Sequence, residues 1–488
     1  MKITIVGGGT AGWLAALMIK KVQPNHEIVV IESSKIPIVG AGEGSTVLLT
    51  EIIQNKSWDY GCNELEFMME TDATIKLGIK HQDWVKRGTT YYGPIDNTST
   101  GGTNFDTMLL HALANDIPFH TASRNGFLLD RGRGSIDGES HSYHFDAHKV
   151  GKYFKKVSQV PTIDAEVIDV LQDDHGITGL VLSNGTTLVS DFYIDCTGFR
   201  RLLMKSLGVK WHSYSKNLPV NSAMPFLVPY KDGEVIEPVT TAWAQSAGWM
   251  WKIPVKGRYG CGYVFDDNVI SADQAQAEIE TTLGHAIDPI RVLEFDTGRL
   301  NKVWHKNCLA LGLASAFAEP LEATSIHTTI AQLKSFIFHY LQDTKDKTVT
   351  KGSQNMYNAK MCMMYDDFKD FLVLHYQTSR GGSPFWDLMK TGRTRTDQVS
   401  NILDIAKSRI TNPADFNSYY GHAGASLWNW VLAGLGYINK DTATAELAMW
   451  KANLVSNKLA FKWHEHEMNK QAQSMMSNTD FIKQFATV

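Results

Sequence analysis

Alternating apolar and polar positions predict several strands. In the segment 248–254, which reads G-W-M-W-K-I-P, Trp249, Trp251 and Ile253 occupy every second position. Successive side chains of a strand point to opposite faces, so these three side chains line one wall. Because Pro254 has no N–H to donate, we expect it to end the hydrogen-bonded ladder. Two spaced tryptophans alone would also fit an ordinary buried aromatic strand.

A second alternating segment, T-I-K-L-G-I-K, occupies residues 74–80. It predicts a single strand with its aliphatic residues on one face and Lys76 and Lys80 on the other. For a lysine, a solvated face is the usual interpretation. From about residue 160 the pattern predicts short strands with tight turns, among them a hairpin at Asn184-Gly185.

Helical periodicity appears in several places. An amphipathic helix is predicted over 271–286 with Ser271 as its N-cap. Another begins near Thr324, after which the chain is mostly helical, with one or two long helices over 442–473. Residues 88–105, rich in Gly, Thr, Ser and Asn, are predicted to form a loop.

The N-terminus combines a buried strand at 2–6, a glycine-rich turn and a helix at 13–21. In this context G-x-G-x-x-G indicates a bound dinucleotide. Gly7 permits the turn, Gly9 lets a pyrophosphate approach the backbone, and Gly12 lets helix and strand pack closely.

The remaining parts of this dinucleotide site follow from position. Thr10 and Ala11 lie at the helix N-terminus, where free N–H groups favour phosphate. Glu32 ends the second strand and is placed to bind a ribose hydroxyl. A second glycine-rich loop at 40–46 contains Gly42 and can close over a cofactor, although it also fits a plain turn.

These elements predict an α/β fold. A hairpin sheet over 165–182 leads to a strand at 191–195 that returns beside the first βαβ unit, which is typical of flavoprotein monooxygenases and favours FAD over NAD. We therefore expect a Rossmann-type βαβ unit with inserted β-sheets. Residues 1–330 would form the FAD-binding domain with an interwoven substrate-side sheet, and the mostly helical region 331–488 would complete the substrate pocket.

Composition narrows the function classes. The 488 residues carry a formal net charge of -4 and suit two packed domains. Without a basic excess, nucleic acid is not favoured as a partner. Five cysteines without a C-x-x-C pair indicate reduced thiols. No apolar run reaches the roughly 18 to 20 residues of a membrane helix, and no signal peptide precedes the first strand. A cytoplasmic protein is expected.

Four segments together resemble the flavin-dependent halogenases of the tryptophan-halogenase type. They are G-x-G-x-x-G-W at 7–13, the strand with Lys76, W-x-W-x-I-P at 249–254 and E-P-L-E-A-T-S at 319–325. The D-C-T-G-F-R segment at 195–200 and the segments 371–386 and 428–436 add lesser matches. The resemblance covers nearly the whole chain.

The resemblance implies a reaction and roles for two residues. Reduced FAD (FADH2), oxygen and a halide give hypohalous acid, which passes through an internal tunnel to Lys76 and then to an electron-rich aromatic. The ammonium of Lys76 can polarise hypohalous acid, or its free amine can form a haloamine. Glu322 can orient the acid or accept the proton from the aromatic. Taken alone, Glu322 is equally an ordinary acid at a helix N-terminus.

Further site residues follow from the resemblance. Thr324 and Ser325 would hold the halide through backbone N–H groups. Trp249, Trp251 and Pro254 would lie by the flavin and keep the aromatic substrate from it. Further flavin contacts are expected at Gly42, Val167, Leu313 and Ile326.

Two departures from the family pattern concern the halide. The family often has E-S-T-G where this chain has Glu322-Ala323-Thr324-Ser325. A side chain at Ser325 can shift the halide size preference, so chloride is not assumed.

Tryptophan is not implied as the substrate either, and free indoles, phenols or a larger aromatic stay open. Without a separate NADPH fingerprint, we expect a partner flavin reductase; a homo-oligomer is left open.

Two other functions fit parts of the sequence. An FAD-dependent aromatic hydroxylase needs the glycine fingerprint but has no use for Lys76 or the tryptophan segment. A non-catalytic flavin-binding protein needs neither Lys76 nor Glu322. His464-Glu465-His466-Glu467 lacks the H-E-x-x-H spacing of a metal site, so we predict a solvated helix surface there and no metal.

Overall fold

The computed structural model describes residues 1–36, 43–95, 105–133, 141–341, 350–416, 424–449, 454–480 and 482, without the side chains of 454–457. The strands of the described chain are β1 Lys2–Val6, β2 Glu27–Glu32, β3 Glu43–Gly44, β4 Thr74–Lys76, β5 Gly78–Gln82, β6 Thr90–Pro94, β7 Ser142–Phe145, β8 Thr162–Asp164, β9 Val167–Asp173, β10 Gly176–Leu182, β11 Thr187–Leu188, β12 Phe192–Asp195, β13 Trp211–Ser213, β14 Ser222–Pro229, β15 Val239–Ala244, β16 Gly248–Val255, β17 Arg258–Phe265, β18 Leu293–Glu294, β19 Gly298–Leu300, β20 Trp304–His305, β21 Cys308–Ala310 and β22 Ala316–Phe317. The α-helices are α1 Thr10–Val22, α2 Val47–Ile53, α3 Glu64–Glu70, α4 Phe105–Ala114, α5 Arg124–Asp130, α6 Ala147–Ser158, α7 Leu202–Ser206, α8 Ala272–Leu283, α9 Thr324–His339, α10 Lys351–His375, α11 Pro384–Lys390, α12 Asp397–Ile405, α13 Ala425–Gly434, α14 Lys440–Met449 and α15 Leu454–Ser474.

A mostly parallel sheet, with β20 as an antiparallel edge strand, organises the N-terminal part. Its strand order is β20-β21-β12-β1-β2-β8, and β1 pairs in parallel with both β2 and β12. The apolar residues of β1 and α1 are almost wholly buried, which fits strands covered on both faces. The predicted hairpin sheet is β9-β10-β11, and the chain then returns through β12 beside β1. The predicted α/β class with a Rossmann-type unit and inserted sheets is confirmed.

The tryptophan segment forms β16, in a seven-stranded sheet of order β18-β14-β17-β16-β15-β5-β6. The prediction that Pro254 ends the ladder is wrong, because β16 continues to Val255 and Pro254 pairs with Tyr259 of β17. On its other side, β16 pairs with β15 only as far as Lys252. Pro254 therefore has a strand neighbour on one side alone, where a missing N–H is tolerated.

The segment 74–80 forms two strands and not one. β4 belongs to a three-stranded sheet of order β3-β7-β4, whereas β5 pairs with β15 and β6 in the seven-stranded sheet. A Cβ on Gly78 would lie 2.7 Å from the carbonyl oxygen of Gly93, so glycine allows the close approach at this crossing. The solvated-face interpretation is wrong for Lys76, which is 1% exposed. Lys80 is partly exposed and pairs with Glu237 at 2.6 Å.

Other local predictions have mixed outcomes. Ser271 caps α8 in a capping box, but the helix ends at Leu283, where Gly284 adopts a left-handed conformation. The predicted loop at 88–105 contains β6, and residues 96–104 of it lie outside the described chain. The predicted helical stretch near the C-terminus contains α14 and α15, and residues 450–453 between them lie outside the described chain.

The C-terminal helices pack on the seven-stranded sheet through a shared apolar cluster. His464 of α15 is fully buried, and its Nε2 lies 3.0 Å from the carbonyl oxygen of Thr121. The surface interpretation is therefore wrong for His464, although Glu465 and His466 are exposed. The proposed division at residue 330 stays a prediction; that residue lies within α9. No helix in the described chain is long and apolar enough to cross a membrane.

Candidate active site

A cavity of about 1200 Å³ extends from the glycine turn after β1 to Lys76. We refer to it as the central cavity. Most of the sequence-predicted cofactor and halide residues line it: Gly7, Gly9, Thr10, Ala11, Glu32, Val167, Leu313, Thr324, Ser325 and Ile326. Gly12 does not line it, and Gly42 lies outside the described residues. The structure thus joins the dinucleotide fingerprint and Lys76 through one space.

The glycine turn is shaped to leave room for a phosphate. Gly7 has φ +118°, and a Cβ there would lie 2.2 Å from the carbonyl oxygen of Cys196. A Cβ on Gly12 would lie 1.9 Å from the carbonyl oxygen of Gly7, so Gly12 serves the packing of α1 on the turn. A Cβ on Gly9 would meet no atom of the described residues within 4 Å. Since the N-cap residue Gly9 has no side chain that could cap α1, the first N–H groups of the helix are available to an anion, and these residues fit a dinucleotide.

Glu32 lies at the edge of the central cavity with both carboxylate oxygens engaged. Oε2 accepts a hydrogen bond from the indole Nε1 of Trp13 at 3.0 Å, and Oε1 accepts one from Lys155 at 2.5 Å. A Cβ on Gly8 would lie 1.9 Å from Oε2, so the carboxylate sits directly against the turn. These contacts fix the orientation of Glu32 beside the turn.

Lys76 ends β4 at the far end of the central cavity. Burial lowers the pKa of its ammonium to about 8, although the negative charge of Glu322 opposes this shift. A Cβ on Gly44 would lie 3.2 Å from Nζ, so the absence of a side chain at Gly44 leaves the nitrogen open. Burial and the charge of Lys76 also hold the pKa of His144 well below its usual value. Both the ammonium and the amine of Lys76 are accessible forms near neutral pH.

Glu322 ends a short 3₁₀ turn, Pro320–Glu322, just before α9. Its Oε1 lies 2.9 Å from Nε2 of His375, at the C-terminus of α10. Nδ1 of His375 lies 2.8 Å from the carbonyl oxygen of Phe371. A carbonyl oxygen can only accept, so Nδ1 carries a hydrogen, and the contact between Nε2 and Oε1 requires a second one. Glu322 and His375 therefore share a proton.

The sequence analysis missed two histidines beside Glu322. His375 lies within the 371–386 segment, which matched the family as a block without any role for its residues. His81 lies in β5, with Nε2 4.0 Å from Oε1 of Glu322. In the sequence, His81 follows Ile75, Leu77 and Ile79 at the same two-residue spacing. A histidine at the end of this aliphatic series was the one sign that could have drawn attention to it.

The halide candidates lie at the start of α9. Ala323 precedes the helix with φ +51°, a left-handed conformation that costs a non-glycine residue about 1 kcal/mol. The N-cap residue Ala323 has no side chain that can cap α9, and the residues of the first turn line the central cavity. Thr324 is buried and Ser325 is exposed there. This end of α9 has the properties of an anion site.

The three predicted exclusion residues do not lie together on the cavity wall. Trp251 lines the central cavity, and Gly262 on β17 leaves the slot into which its ring fits, because a Cβ there would lie 2.1 Å from that ring. Trp249 is buried behind it, with ring centroids 6.3 Å from Trp251 and 6.4 Å from Trp84. Pro254 is also behind the wall, where its carbonyl accepts the hydroxyl of Thr74 at 2.6 Å.

Comparison with known proteins decides the family. The model of the tryptophan halogenase family matches residues 2–449. The chain belongs to the tryptophan halogenase family. It is 30% identical to the tryptophan 6-halogenase ThaL of Streptomyces albogriseolus, over 99% of this chain and 98% of ThaL. It is 30% identical to the tryptophan 7-halogenase RebH of Lentzea aerocolonigenes, over 92% and 91% of the two chains.

Solved structures agree with this membership. The tryptophan 6-halogenase SttH from Streptomyces toxytricini is 27% identical and superposes with a TM-score of 0.89 over 99% of both chains. The flavin-dependent halogenase Tar14 from taromycin biosynthesis is 27% identical, with a TM-score of 0.89 over 100% of both chains. The chain is thus a flavin-dependent halogenase, and neither the hydroxylase nor the non-catalytic alternative is favoured.

Two glycines of the halogenase offer a matched test of the fingerprint. Gly9→Ala is expected to raise the FAD dissociation constant at least about tenfold, since its Cβ would enter the open space of the turn. Its unfolding temperature without FAD should not change. Gly12→Ala is expected to lower that temperature, because its Cβ would clash with the Gly7 carbonyl. Flavin fluorescence titration and calorimetry check both, and weaker FAD binding only in the unstable variant would count against the phosphate site.

The buried charge of Lys76 is expected to destabilise the halogenase at neutral pH. Its folded-state pKa is about 8 and the ordinary value is 10.5, so the unfolded chain binds more protons in this window and the free energy of unfolding rises with pH across it. Lys76→Met is expected to raise that free energy at pH 7 by up to about 3 kcal/mol. Urea unfolding at pH 10 should show a smaller increase in the free energy of unfolding of Lys76→Met over the wild type. Lys80→Met, at a paired and partly exposed lysine, should show no gain.

The halide preference of the halogenase is expected to depend on Ser325. This residue is exposed to the central cavity at the uncapped end of α9. Ser325→Gly removes a side chain beside the free N–H groups, so the larger bromide should gain several-fold over chloride in kcat/KM. Competition between the two halides, read as the ratio of brominated to chlorinated product, checks this. An unchanged ratio would separate Ser325 from halide selection.

Proposed function

We propose that this halogenase uses reduced FAD, molecular oxygen and a halide to halogenate an electron-rich aromatic of the indole or phenol type. The observation that carries the proposal is the central cavity, which joins the free helix ends of α1 and α9 to the buried nitrogen of Lys76. A small electrophile could travel this path to Lys76, beyond which the aromatic substrate would bind.

The cofactor end of the cavity would hold FAD. The N–H groups at the start of α1 would bind its phosphates, with Gly9 leaving room, and Glu32 would bind a ribose hydroxyl. Val167, Leu313 and Ile326 would contact the remainder of the cofactor. When bound and reduced, FAD supplies the electrons with which oxygen and halide give hypohalous acid. A separate flavin reductase is the proposed source of reduced FAD.

The start of α9 would hold the halide. The N–H groups of Thr324 and Ser325 offer partial positive charge, and the dipole of a 16-residue helix adds to it. Trp251 would narrow the central cavity beside this position. Its indole keeps an aromatic substrate away from the cofactor while leaving a path for hypohalous acid, a molecule of two heavy atoms.

Lys76 would receive hypohalous acid and present it to the aromatic. Its ammonium donates a hydrogen bond to the oxygen, which makes the halogen more electrophilic, or its amine takes up the halogen. Glu322 lies close enough to act on Lys76 through its charge. It would accept the proton that the ring carbon loses, and His375 would hold Glu322 in place by the proton they share.

The substrate class follows from this chemistry and from the relatives. An electrophilic halogen reacts with electron-rich rings, and ThaL and RebH are named for tryptophan. Identity of 30% with these two enzymes leaves the pocket residues free to differ, so we propose an indole-bearing molecule as the first class to test, with phenols second.

One assay set tests the proposal. The purified halogenase is supplied with FAD, a flavin reductase, NADH and a panel of indoles and phenols, each with chloride, bromide or iodide. Catalase is included so that released hydrogen peroxide cannot support halogenation. Halogenated product by mass, dependent on both reductase and halide, is expected. Hydroxylated product that forms equally without halide would contradict the proposal, as would NADH oxidation and product formation without the reductase.

A further inference from the structure

We propose that His81, Glu322 and His375 bind one divalent transition-metal ion such as Zn²⁺, and that its binding stops halogenation by occupying Glu322. The inhibitory half of this inference rests on the proposed function, whereas the binding half does not. The sequence predicted no metal because 464–467 lacks the spacing of a metal site, and His81, Glu322 and His375 were not considered together, since they lie far apart in the chain.

The three side chains already form a compact donor set. One ligand atom from each lies within 4.8 Å of the other two. The separations from Oε1 of Glu322 are 2.9 Å to Nε2 of His375 and 4.0 Å to Nε2 of His81. A tetrahedral Zn²⁺ with bonds of about 2.0–2.2 Å needs donor atoms roughly 3.4 Å apart. Rotamer shifts that bring the widest-spaced pair closer by about 1.4 Å or less would reach that spacing, and two imidazoles with one carboxylate are an ordinary zinc ligand set.

His81 is the most informative member of this set. Its side chain is 1% exposed, yet neither ring nitrogen has a hydrogen-bond partner within the described chain. The ring is held by stacking on Tyr91, with centroids 4.4 Å apart, and by the edge of Trp84 at 5.4 Å. A buried polar group without a partner costs on the order of 1–3 kcal/mol. Coordination of Nε2 to a metal ion would supply the missing partner.

His375 is oriented as metal-binding histidines usually are. Its Nδ1 hydrogen is donated to the backbone carbonyl of Phe371, which directs Nε2 towards Glu322. Such a second hydrogen bond fixes the tautomer of a coordinating imidazole. An ion between Nε2 and Oε1 would replace the proton that His375 and Glu322 share. Each ion bound therefore releases one proton, with no change in oxidation state.

The residues around the proposed metal site determine how an ion can enter it and how tightly the ion can bind. The two histidines are buried, but the side chain of Glu322 is 22% exposed, so an ion would enter from the Glu322 side. The three residues do not line the central cavity, and the site leaves FAD binding unobstructed. The charge of Lys76 acts on Glu322 and opposes a second cation. Lys76→Met is therefore expected to bind the metal more tightly than the wild type.

Metal binding can be measured without any halogenation. Chelator-treated halogenase would be titrated with Co²⁺, whose tetrahedral nitrogen and oxygen complexes absorb visible light, and with Zn²⁺ against a chromophoric chelator. One ion per chain is expected. His81→Phe keeps an aromatic ring against Tyr91 and Trp84 but removes a ligand, and should raise the dissociation constant by at least about 100-fold, the upper end of the loss seen when only a partner of a ligand is removed. His466→Gln, at an exposed histidine of α15, should bind as the wild type does.

Two further readouts complete the test. Calorimetry in buffers of different ionisation enthalpy should give close to one proton released per Zn²⁺. In the halogenation assay, Zn²⁺ should inhibit the wild type reversibly, with EDTA restoring the rate, and the inhibition constant of His81→Phe, measured against its own metal-free rate, should rise in proportion to its dissociation constant.

The outcomes separate the two halves of the inference. Equal Co²⁺ binding by the wild type and His81→Phe would overturn the site. Binding as expected with halogenation unaffected by saturating Zn²⁺ would overturn the inhibitory role alone. Should the protein halogenate nothing in the assay, the proposed function would fail, while the Co²⁺ spectrum would still decide whether the site exists.

Discussion

Replacement of Lys76 by alanine is expected to reduce halogenation by about 10³-fold or more, the range found when a group that acts on the reacting atoms is removed. Lys76 lies at the end of the central cavity opposite the dinucleotide fingerprint, and its nitrogen is the group to which hypohalous acid is delivered in our proposal. Without it, the acid would diffuse or decompose unused. The measurement is halogenated product per reduced flavin consumed, which should collapse while flavin oxidation continues.

Lys80→Ala is the matched control, because Lys80 lies four residues further on and is paired with Glu237 near the surface. Its halogenation should stay within about twofold of the wild type. FAD affinity should be the same for both variants and the wild type, since neither lysine lies at the fingerprint. Equal halogenation by Lys76→Ala and the wild type, in the presence of catalase, would remove Lys76 from the reaction.

The fold was predictable from the sequence where one rule dominates. A strand, three spaced glycines and a helix specify the βαβ unit, and the observed β1, α1 and β2 follow that prediction closely. The prediction failed where the conformation of a residue depends on which strands lie beside it in the folded chain. Pro254 continues β16 because β15 is absent beside it, and T-I-K-L-G-I-K divides because β4 and β5 pair in different sheets. Alternation alone carries no information on partner strands.

Only part of the candidate site could be predicted from the residues themselves. The turn at 7–12 is a contiguous motif before a helix and indicates a phosphate site directly. Lys76, Glu322 and the halide site at the start of α9 were expected from the family resemblance, and their roles stay predictions. The group around Glu322 draws His81 from β5 and His375 from the end of α10, nearly three hundred residues apart in the chain. A histidine after three aliphatic positions of a strand indicates only a buried ring. His81 and His375 lie beside Glu322 only because α10 packs against the seven-stranded sheet in the folded chain.

Glu322→Gln is expected to lower halogenation by about 10²-fold, because an amide of similar size can neither accept the ring proton nor carry the charge. The loss of this charge should also lower the pKa of Lys76 further below its present value of about 8, since Glu322 now opposes the effect of burial. The reactivity of Lys76 towards an amine-selective reagent, followed by mass against pH, should therefore shift to lower pH in the variant. Product formation and labelling would be measured on the same preparations.

His375→Gln separates proton acceptance from positioning. It leaves the carboxylate of Glu322 but removes the imidazole that shares its proton, so we expect a smaller loss of about tenfold together with a changed pH profile of kcat. If His375→Gln lost as much as Glu322→Gln, the two residues would act as one unit. If Glu322→Gln kept wild-type halogenation while its Lys76 labelling shifted, Glu322 would tune the lysine without taking the ring proton. Only loss of product with the labelling shift supports both roles, because acceptance of a proton and action through charge are separate properties of one carboxylate.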